Sequence, residues 1–394
     1  MGSLNPKVEL NGRVEPGYEK VAEAFLANFE RHDELGAAFC LHVGGRAVVD
    51  VWAGATGADD APPWQEDTLQ LVFSTTKGAA AVCAHLLVQR GLLDLDAPVT
   101  EYWPEFAAAG KTAVPVGWLL SHRAGLPAID TKLSIEEVLA GTPVVEALAA
   151  QRPLWEPGSA HGYHALTYGW LVGEVVRRVT GASLGRFFAD EVAAPLGLEF
   201  WIGLPEEQEH RVTTLVPSPL VPPEVADNPT LAELIRKFTG PGSLLWRALS
   251  LEGAMELEDL PYNRADVHAA ELPAANGITT ARSLSRLYAG LVGEVDGVRI
   301  LDPDTLGRAR QPRSEGPDKV LIVPTRFGFG FMLHSDFSPM LGPGSFGHAG
   351  AGGSLGFGDA DAGVGFGYVM NKMHTGVAGD PRTLSLIEAV RTCL

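Results

Sequence analysis

The sequence has little cysteine and few basic residues. Its 394 residues include three cysteines, Cys40, Cys83 and Cys393. This is an odd number at wide spacing, so we expect reduced thiols and not a disulfide framework. Lys and Arg number 30 against 48 Asp and Glu, which gives a formal net charge of −18. Because no basic stripe is present to neutralise a phosphate backbone, the composition excludes nucleic acid as an expected partner.

Long apolar runs and targeting signals are also missing. No run reaches the ~18 apolar residues of a membrane-spanning helix. Residues 1–10 have neither the basic stretch nor the apolar core of a secretory signal. Pro6 stands where N-myristoylation needs Ser or Thr, and Cys393 is second from the end, not fourth as prenylation requires. We therefore expect a soluble, cytoplasmic protein with no membrane partner.

Cofactor motifs are missing as well. No HExxH, CxxC or paired-carboxylate pattern offers metal ligands. No glycine-rich dinucleotide fingerprint lies between a strand and a helix with an acidic residue beyond it. We expect neither a metal nor another cofactor. What is present is a core: 46% of the residues are hydrophobic and 20% are charged, which is typical of a folded protein.

The residue pattern predicts strands near both ends of the chain and helices between them. Apolar residues at helical spacing between Tyr18 and Phe29 predict a helix, and two β-rich runs around Gly44-Gly45 predict a hairpin. A long helix is predicted over residues 71–93, ending at Gly91. Further glycine-rich, β-prone segments cover residues 326–333, 353–358 and 363–370, followed by a last helix with Leu384, Ile387 and Val390.

This order predicts an α/β domain made of two separate segments, with a helical domain inserted between them. We assign residues 1–70 and 275–394 to the α/β domain and 71–274 to the mostly helical domain. Within the latter, residues 203–274 are rich in Pro, Glu and Leu, with short helical pieces such as 231–238 and 244–249. A long segment of this kind is often a lid or a pocket wall.

Ser74 and Lys77 form an S-x-x-K pair. Residues three apart share one face of a helix, so the lysine amine can reach the serine hydroxyl. The flanking residues are apolar or small, which predicts that Lys77 is buried. Burial lowers the pKa of an ammonium group, and this makes Lys77 a candidate base beside a nucleophilic Ser74.

Around this pair the sequence resembles the serine β-lactamase/penicillin-binding-protein-like superfamily. It is similar to the class C branch and most of all to family VIII carboxylesterases and related acyltransferases. Seven segments carry the resemblance in the expected order: FSTTKG at 73–78, GLLDLDAPV at 91–99, LLSHRAGLP at 119–127, PGSAHGY at 157–163, NGI at 276–278, GHAGAGG at 347–353 and YVMN at 368–371.

The resemblance implies a fold and a set of roles. The implied fold is α/β (α+β) of the β-lactamase/transpeptidase type, an antiparallel sheet flanked by helices with an inserted helical domain and the active site between the two parts. Tyr163 matches the family tyrosine that exchanges protons with the nucleophile, with Tyr168 as the alternative. The backbone N–H groups of Ser74 and Ala351 would form the oxyanion hole. We expect a cation at Lys77 to lower the pKa of Tyr163.

The chain departs from true β-lactamases at two motifs. The family often has Asn two residues after the tyrosine, where this chain has Ala165. The Lys-Thr-Gly of the third motif is replaced by His348-Ala349-Gly350. His348 is either a hydrogen-bond partner of Tyr163 or substrate, or a satisfied histidine at a strand edge. The small residues through Gly350 would let the strand approach the substrate. Both departures point away from β-lactam substrates.

Two other residues are candidate chemical groups but are given structural roles. Ser354 lies in a G-x-S-x-G pattern, but a β-prone run follows it where a nucleophile elbow needs a helix. His122 could belong to a triad, although a buried hydrogen-bonding role is the simpler interpretation. For the substrate pocket, the sequence offers four aromatic residues near the motifs or in the inserted segment: Trp155, Phe238, Trp246 and Tyr262.

The predicted function is hydrolysis of small carboxylic esters through an acyl-Ser74 intermediate, with Lys77 and Tyr163 as the base system. The partner is then a small-molecule ester or acyl substrate. An acyltransferase or amidase using an alcohol or amine acceptor is the alternative within enzymes. A β-lactamase, a D,D-peptidase or a non-catalytic scaffold ranks below these. The sequence leaves the oligomeric state open.

Overall fold

The structure is a computed structural model that describes residues 8–59, 61–217, 233, 235, 237–257 and 259–394. Residues 1–7, which include part of the segment searched for a signal peptide, lie outside it. Of the predicted helical piece 231–238, only Glu233, Ile235, Lys237 and Phe238 are described, and all four are helical. In the described part of the chain, no helix is both long and apolar enough to cross a membrane.

A nine-stranded antiparallel sheet forms the centre of the fold. In spatial order its strands are β1 (Asn11–Val14), β3 (Arg46–Gly54), β2 (Gly36–Val43), β12 (Val364–Met370), β11 (Leu355–Asp359), β10 (Ser345–Ala349), β9 (Met332–Leu333), β8 (Pro324–Phe327) and β7 (Ser314–Pro317). The predicted hairpin is β2–β3, and the predicted antiparallel sheet is confirmed. All of its strands come from residues 11–54 and 314–370.

A small second sheet joins distant parts of the chain. It contains β4 (Gln70–Leu71), β6 (Ile278–Thr279) and β5 (Phe200–Trp201) in that spatial order. Leu71 pairs with Ile278, and Ile278 also pairs with Trp201. The helix predicted over residues 71–93 therefore starts later than expected, because its first residues belong to this sheet.

Helices fill the chain between β4 and β5: α2 (Thr76–Gln89), α3 (Val116–Leu120), α4 (Ile135–Ala140), α5 (Thr142–Ala150), α6 (Thr167–Thr180), α7 (Leu184–Phe188) and α8 (Ala194–Leu196). Before them lies α1 (Glu19–Arg31), and after them α9 (Leu244–Ser250), α10 (Ala265–Ala269), α11 (Ala281–Val292), α12 (Pro303–Ala309) and α13 (Pro381–Arg391). The opening and closing helices of the sequence prediction are α1 and α13.

Glycines in the central strands let a helix lie close to the sheet. A Cβ on Gly365 would lie 2.3 Å from the Ser285 carbonyl oxygen, and one on Gly367 would lie 2.4 Å from that of Ala281. Both carbonyls belong to α11, so these β12 positions exclude any larger residue. The glycine-rich character of the C-terminal strands thus follows from close packing of a helix on a sheet.

The three cysteines are unpaired, as expected, and Cys40 and Cys83 are buried.

Candidate active site

Ser74 is placed at the surface of an otherwise buried segment. It lies in a 3-10 turn, Phe73–Thr75, directly before α2. Between residues 68 and 87, Ser74 alone is partly exposed and every other residue is buried. Phe73 has a φ of 44°, a left-handed conformation that is costly for a non-glycine residue and stops α2 from extending backwards. The Phe73 ring packs edge-on against Tyr262, with 4.8 Å between ring centroids.

Lys77 is fully buried, and its amine has three polar neighbours. Nζ lies 2.9 Å from Ser74 Oγ and donates to the carbonyl oxygens of Ala165 at 2.6 Å and Ala274 at 3.0 Å. Burial holds the pKa of Lys77 well below its ordinary value of 10.5. A neutral amine has two N–H bonds and one lone pair. Since carbonyl oxygens can only accept, in the neutral form they take both N–H bonds and leave the lone pair for the Ser74 hydroxyl, to which the protonated amine would donate.

The Ala274 carbonyl is held in place by Asn276, which is completely buried. Its side-chain amide donates to the carbonyls of Val267 at 2.8 Å and Ala270 at 2.6 Å, and its Oδ1 accepts from the Leu272 N–H at 2.9 Å. These bonds fix the turn that leads into residue 274. The Asn276-Gly277-Ile278 motif thus acts on Lys77 indirectly, through the backbone carbonyl that receives one of its protons.

Tyr163 lies against the same amine. Lys77 Nζ is 4.9 Å from the centroid of the Tyr163 ring, and the Tyr163 side chain is 1% exposed. Burial raises the pKa of Tyr163 above its ordinary value, although the Ser74 hydroxyl nearby partly offsets the effect. This is opposite to the expectation that a Lys77 cation lowers it, because the burial that favours a neutral amine also disfavours a phenolate. Tyr163 is therefore a phenol at neutral pH.

Tyr168, the alternative tyrosine, is directed elsewhere. Its ring centroid is 5.9 Å from Lys77 Nζ, farther than that of Tyr163. Its hydroxyl lies against Gly330, where a Cβ would come within 2.8 Å of it. The nucleophile, the amine and Tyr163 therefore form one cluster, and Tyr168 packs behind it.

Asp318 is a residue that the sequence analysis missed. Its Oδ1 accepts from the backbone N–H groups of Tyr163 at 3.1 Å, Val320 at 2.8 Å and Leu321 at 2.9 Å, and its Oδ2 accepts from the Thr325 hydroxyl at 3.2 Å. The carboxylate thereby joins the β7–β8 hairpin to the backbone that carries Tyr163. A lone Asp between two short strands gave no signal of this role.

Two histidines support the Tyr163 loop and have no serine partner. His164 Nδ1 donates to the Gly162 carbonyl at 2.7 Å, and its Nε2 accepts from the Leu126 N–H at 3.0 Å. His122 Nδ1 accepts from the His164 N–H at 3.1 Å, and its ring packs 5.1 Å from that of Tyr163. Burial lowers the pKa of both groups. His122 has the buried hydrogen-bonding role expected of it.

His348, in the third motif, has a hydrogen-bond partner among the described residues for one of its two ring nitrogens. Its Nδ1 donates to the Ala349 carbonyl at 2.7 Å, while its buried Nε2 has no hydrogen-bond partner among the described residues. Its ring centroid is 6.0 Å from that of Tyr163. Burial lowers the pKa of His348 to about 3, so it is a neutral acceptor at physiological pH. Of the expected roles, neither a hydrogen bond to Tyr163 nor a fully satisfied histidine is found.

The turn that carries Ala351 is fastened to the Ser74 turn. Ser354 Oγ donates to the Val72 carbonyl at 2.9 Å and lies 3.1 Å from Thr75 Oγ1, which accounts for its hydroxyl without any catalytic partner. A Cβ on Gly350 would lie 2.2 Å from the Val72 carbonyl oxygen. Gly350 is thus required for this backbone contact, and its expected approach to the substrate stays a prediction.

A buried ion network holds the other side of the same turn. All five N–H groups of Arg382 are used: they donate to Asp380, Glu34, the Lys372 carbonyl and, at 2.6 Å, the Gly352 carbonyl. The side chains of Arg382 and Glu34 are fully buried. A Cβ on Gly353 would lie 2.4 Å from Arg382 Nη2. Sequence analysis did not find this network, because its charged members Glu34, Asp380 and Arg382 lie outside every motif and Glu34 is about 350 residues from the other two.

Of the four aromatic residues proposed for the substrate pocket, Trp246 alone lines a cavity near the turn of Ala351. This cavity has a volume of about 360 Å³ and also borders Ala351 and Gly352. Phe238 is 44% exposed, Tyr262 is buried behind Phe73, and Trp155 donates from its indole to the Ala160 carbonyl at 3.2 Å. Those three do not line this cavity, and their assignment to the substrate pocket stays a prediction.

The fold and this cluster define a protein class. Residues 19–390 match the beta-lactamase family model, so the chain belongs to the beta-lactamase family. It is 36% identical over 92% of its length, and over 83% of the relative, to the esterase/beta-lactamase LipL of Mycobacterium tuberculosis.

Solved structures agree with this assignment. A family VIII carboxylesterase matches with a TM-score of 0.87 and 39% identity, covering 98% of this chain and 100% of that one. A penicillin-binding-protein homologue from Caulobacter crescentus matches with a TM-score of 0.86 and 35% identity over the same shares. The resemblance and the fold class predicted from the sequence are confirmed.

The buried Lys77, whose pKa is lowered by burial, should make the stability of the fold depend on pH. The unfolded state holds a proton on this lysine up to pH 10.5, whereas the folded state releases it at a lower pH. Folding therefore becomes more favourable as pH rises between the folded and the unfolded pKa. We expect Lys77→Met to stabilise the protein, by an amount that shrinks towards pH 10.5 by up to ~1.4 kcal/mol per pH unit.

Urea unfolding of both proteins from pH 6 to 10 measures this difference. Lys132→Met, a change at an exposed lysine, is the matched control and should leave the pH dependence of the parent unchanged. A Lys77→Met protein whose stability follows that of the parent at every pH would show that Lys77 is charged in the fold.

Proposed function

We propose that this protein hydrolyses carboxylic esters through a covalent acyl-Ser74 intermediate. The observation that carries the proposal is the buried amine of Lys77, which lies 2.9 Å from the hydroxyl of Ser74, the single partly exposed residue between residues 68 and 87. The relatives support a hydrolase of the esterase type, since one is described as an esterase/beta-lactamase and another as a carboxylesterase.

In the first step Lys77 acts as the general base. Its lone pair takes the Ser74 proton while Ser74 Oγ forms a bond to the ester carbonyl carbon. Negative charge develops on the carbonyl oxygen, which the N–H groups of Ser74 and Ala351 would receive. Neither N–H has a backbone or side-chain acceptor among the described residues. The Ser354 and Arg382 contacts hold the Ala351 side of this pair in place.

Tyr163 acts as the acid that frees the leaving group. As the C–O bond of the ester breaks, the Tyr163 phenol gives its proton to the departing alkoxide, and the Lys77 ammonium replaces that proton. A raised phenol pKa suits this role better than that of a base, because a phenol at neutral pH has a proton to give. Water then attacks the acyl-serine by the same steps in reverse and releases the acid.

The site disfavours β-lactam substrates. Ala165 provides no amide to hold a β-lactam side chain, and its carbonyl is already occupied by Lys77. His348 is neutral where a β-lactamase has a lysine, so it provides no cation for a carboxylate. Each missing polar contact costs ~1–3 kcal/mol. Esters without a carboxylate at that position lose nothing there, which supports the esterase function over lactam hydrolysis.

The nucleophile is tested by covalent labelling. A serine-directed phosphonate should add its mass to the peptide that contains Ser74, and Ser74→Ala should lose both the label and nearly all turnover of p-nitrophenyl acetate. Ser354→Ala, a matched change on the neighbouring turn, should still be labelled at Ser74. Label on the Ser354 peptide of the parent protein would overturn the mechanism.

The role of Tyr163 is tested by comparing leaving groups. Tyr163→Phe should lower kcat for an ethyl ester by on the order of 10². It should lower kcat for the matching p-nitrophenyl ester much less, because p-nitrophenolate leaves without a proton. Tyr168→Phe removes a hydroxyl five residues away and should resemble the parent with both esters. Equal losses for the two esters in Tyr163→Phe would mean that this hydroxyl is not the acid.

A further inference from the structure

The cavity beside Ala351 lies on one side of the catalytic cluster. Its wall includes Leu245, Trp246 and Leu249 of α9, Val323 of the β7–β8 hairpin, and Val377 of the loop before α13. These side chains are apolar, and the volume of about 360 Å³ lies within the range of ~300–1,000 Å³ typical of small-molecule pockets. The cavity is thus large enough to hold more than the acetyl group of a small ester.

The position of the cavity decides which half of an ester it receives. Ala351 and Gly352 line it, whereas Ser74, Lys77, Tyr163 and His348 do not, so the cavity begins at the turn that carries Ala351. An ester held by the Ala351 N–H places its carbonyl oxygen at this turn, and its alcohol oxygen must face Tyr163 to receive a proton. The alcohol therefore leaves on the Tyr163 side, and the acyl chain extends past Ala351 and Gly352 into the cavity.

We propose that this cavity is an acyl-chain pocket. It selects esters whose acyl chain is of medium length and carries no charged group. The proposal rests on the proposed ester hydrolysis at Ser74 and names the acyl group of its substrate. If each methylene takes roughly the ~30 Å³ of one water molecule, a chain of about twelve carbons fills the cavity of about 360 Å³. Glu256 also lines the wall, and its carboxylate disfavours acyl chains that end in a second acid group.

The loop of residues 373–378 forms part of the cavity wall, and backbone hydrogen bonds hold it to the turn that carries Ala351. The Gly352 N–H donates to the Gly376 carbonyl at 3.2 Å, and the His374 N–H donates back to the Gly352 carbonyl at 2.9 Å. This loop and the turn that carries Ala351 thus form one hydrogen-bonded unit. A chain that packs against this loop also contacts the unit that holds the carbonyl, so chain length should affect kcat as well as KM.

A series of p-nitrophenyl esters from acetate to dodecanoate tests the proposal with a constant leaving group. In the parent, kcat/KM should rise by up to about fourfold per added methylene, since burying one CH₂ contributes ~0.8 kcal/mol. It should fall beyond about twelve carbons, so hexadecanoate is added to the series as a chain too long for the cavity. Leu249→Trp, which fills the cavity, should lower kcat/KM for octanoate at least tenfold and leave acetate close to the parent value.

Two further variants show whether the effect of Leu249→Trp comes from filling the cavity or from misfolding or a nonspecific change. Val323→Trp fills the cavity from a partly exposed position and should reproduce the loss for octanoate. Leu92→Trp is the matched control, because Leu92 is 54% exposed and does not line the cavity, and it should behave like the parent.

A second series, acetates of ethanol to octanol, separates the acyl chain from the alcohol. The filling variants should leave this series unchanged. A loss that follows the alcohol length, or a parent with no preference among acyl lengths, would overturn the acyl pocket while acetate turnover leaves the proposed hydrolysis standing. Absence of turnover for every ester, including acetate, would overturn the proposed function itself.

Discussion

The site depends on one constraint, the complete burial of a lysine amine, which disfavours its charged form. In the part of the chain that the structure describes, Lys77 has no carboxylate partner, and its amine forms hydrogen bonds with two carbonyl oxygens and the Ser74 hydroxyl. Desolvation of an ammonium group there costs more than two carbonyls return, so the pKa falls. A neutral amine with both N–H bonds in use has its lone pair left for Ser74. This geometry supports the proposed role of Lys77 as the base, although a lysine side chain in water is an acid at neutral pH.

Holding this amine requires segments far apart in the chain. Lys77 comes from α2, while its two carbonyl partners lie about ninety and two hundred residues further along the chain. The small sheet in which Leu71 pairs with Ile278 brings the first and last of these segments together. The Ala351 turn is then fastened to the Ser74 turn by Ser354 and to α13 by Arg382. No single motif forms the site. Each motif therefore indicates a site of this kind only when the others occur with it in the expected order.

The sequence predicted the sheet, most helices and the S-x-x-K cluster, because these depend on local periodicity and on short motifs of unusual composition. It placed the start of α2 too early, since nothing local shows that Leu71 pairs with a strand two hundred residues away. It also predicted the wrong direction for the Tyr163 pKa, because the charge state of Lys77 depends on burial in three dimensions. Asp318 and Arg382 were missed for the same reason. Nothing in the sequence distinguishes them from other charged residues, and their roles depend on backbone groups that only the fold brings close to them.

The central claim is that Lys77 is a neutral base for Ser74 in the free enzyme. The pH dependence of kcat/KM for an activated ester reports the pKa of that base. The account predicts an acidic limb that ends in a plateau well below the ordinary lysine pKa of 10.5. A rate that keeps rising about tenfold per pH unit up to pH 10 would contradict it, because such a rate would show that Lys77 is still protonated across that range.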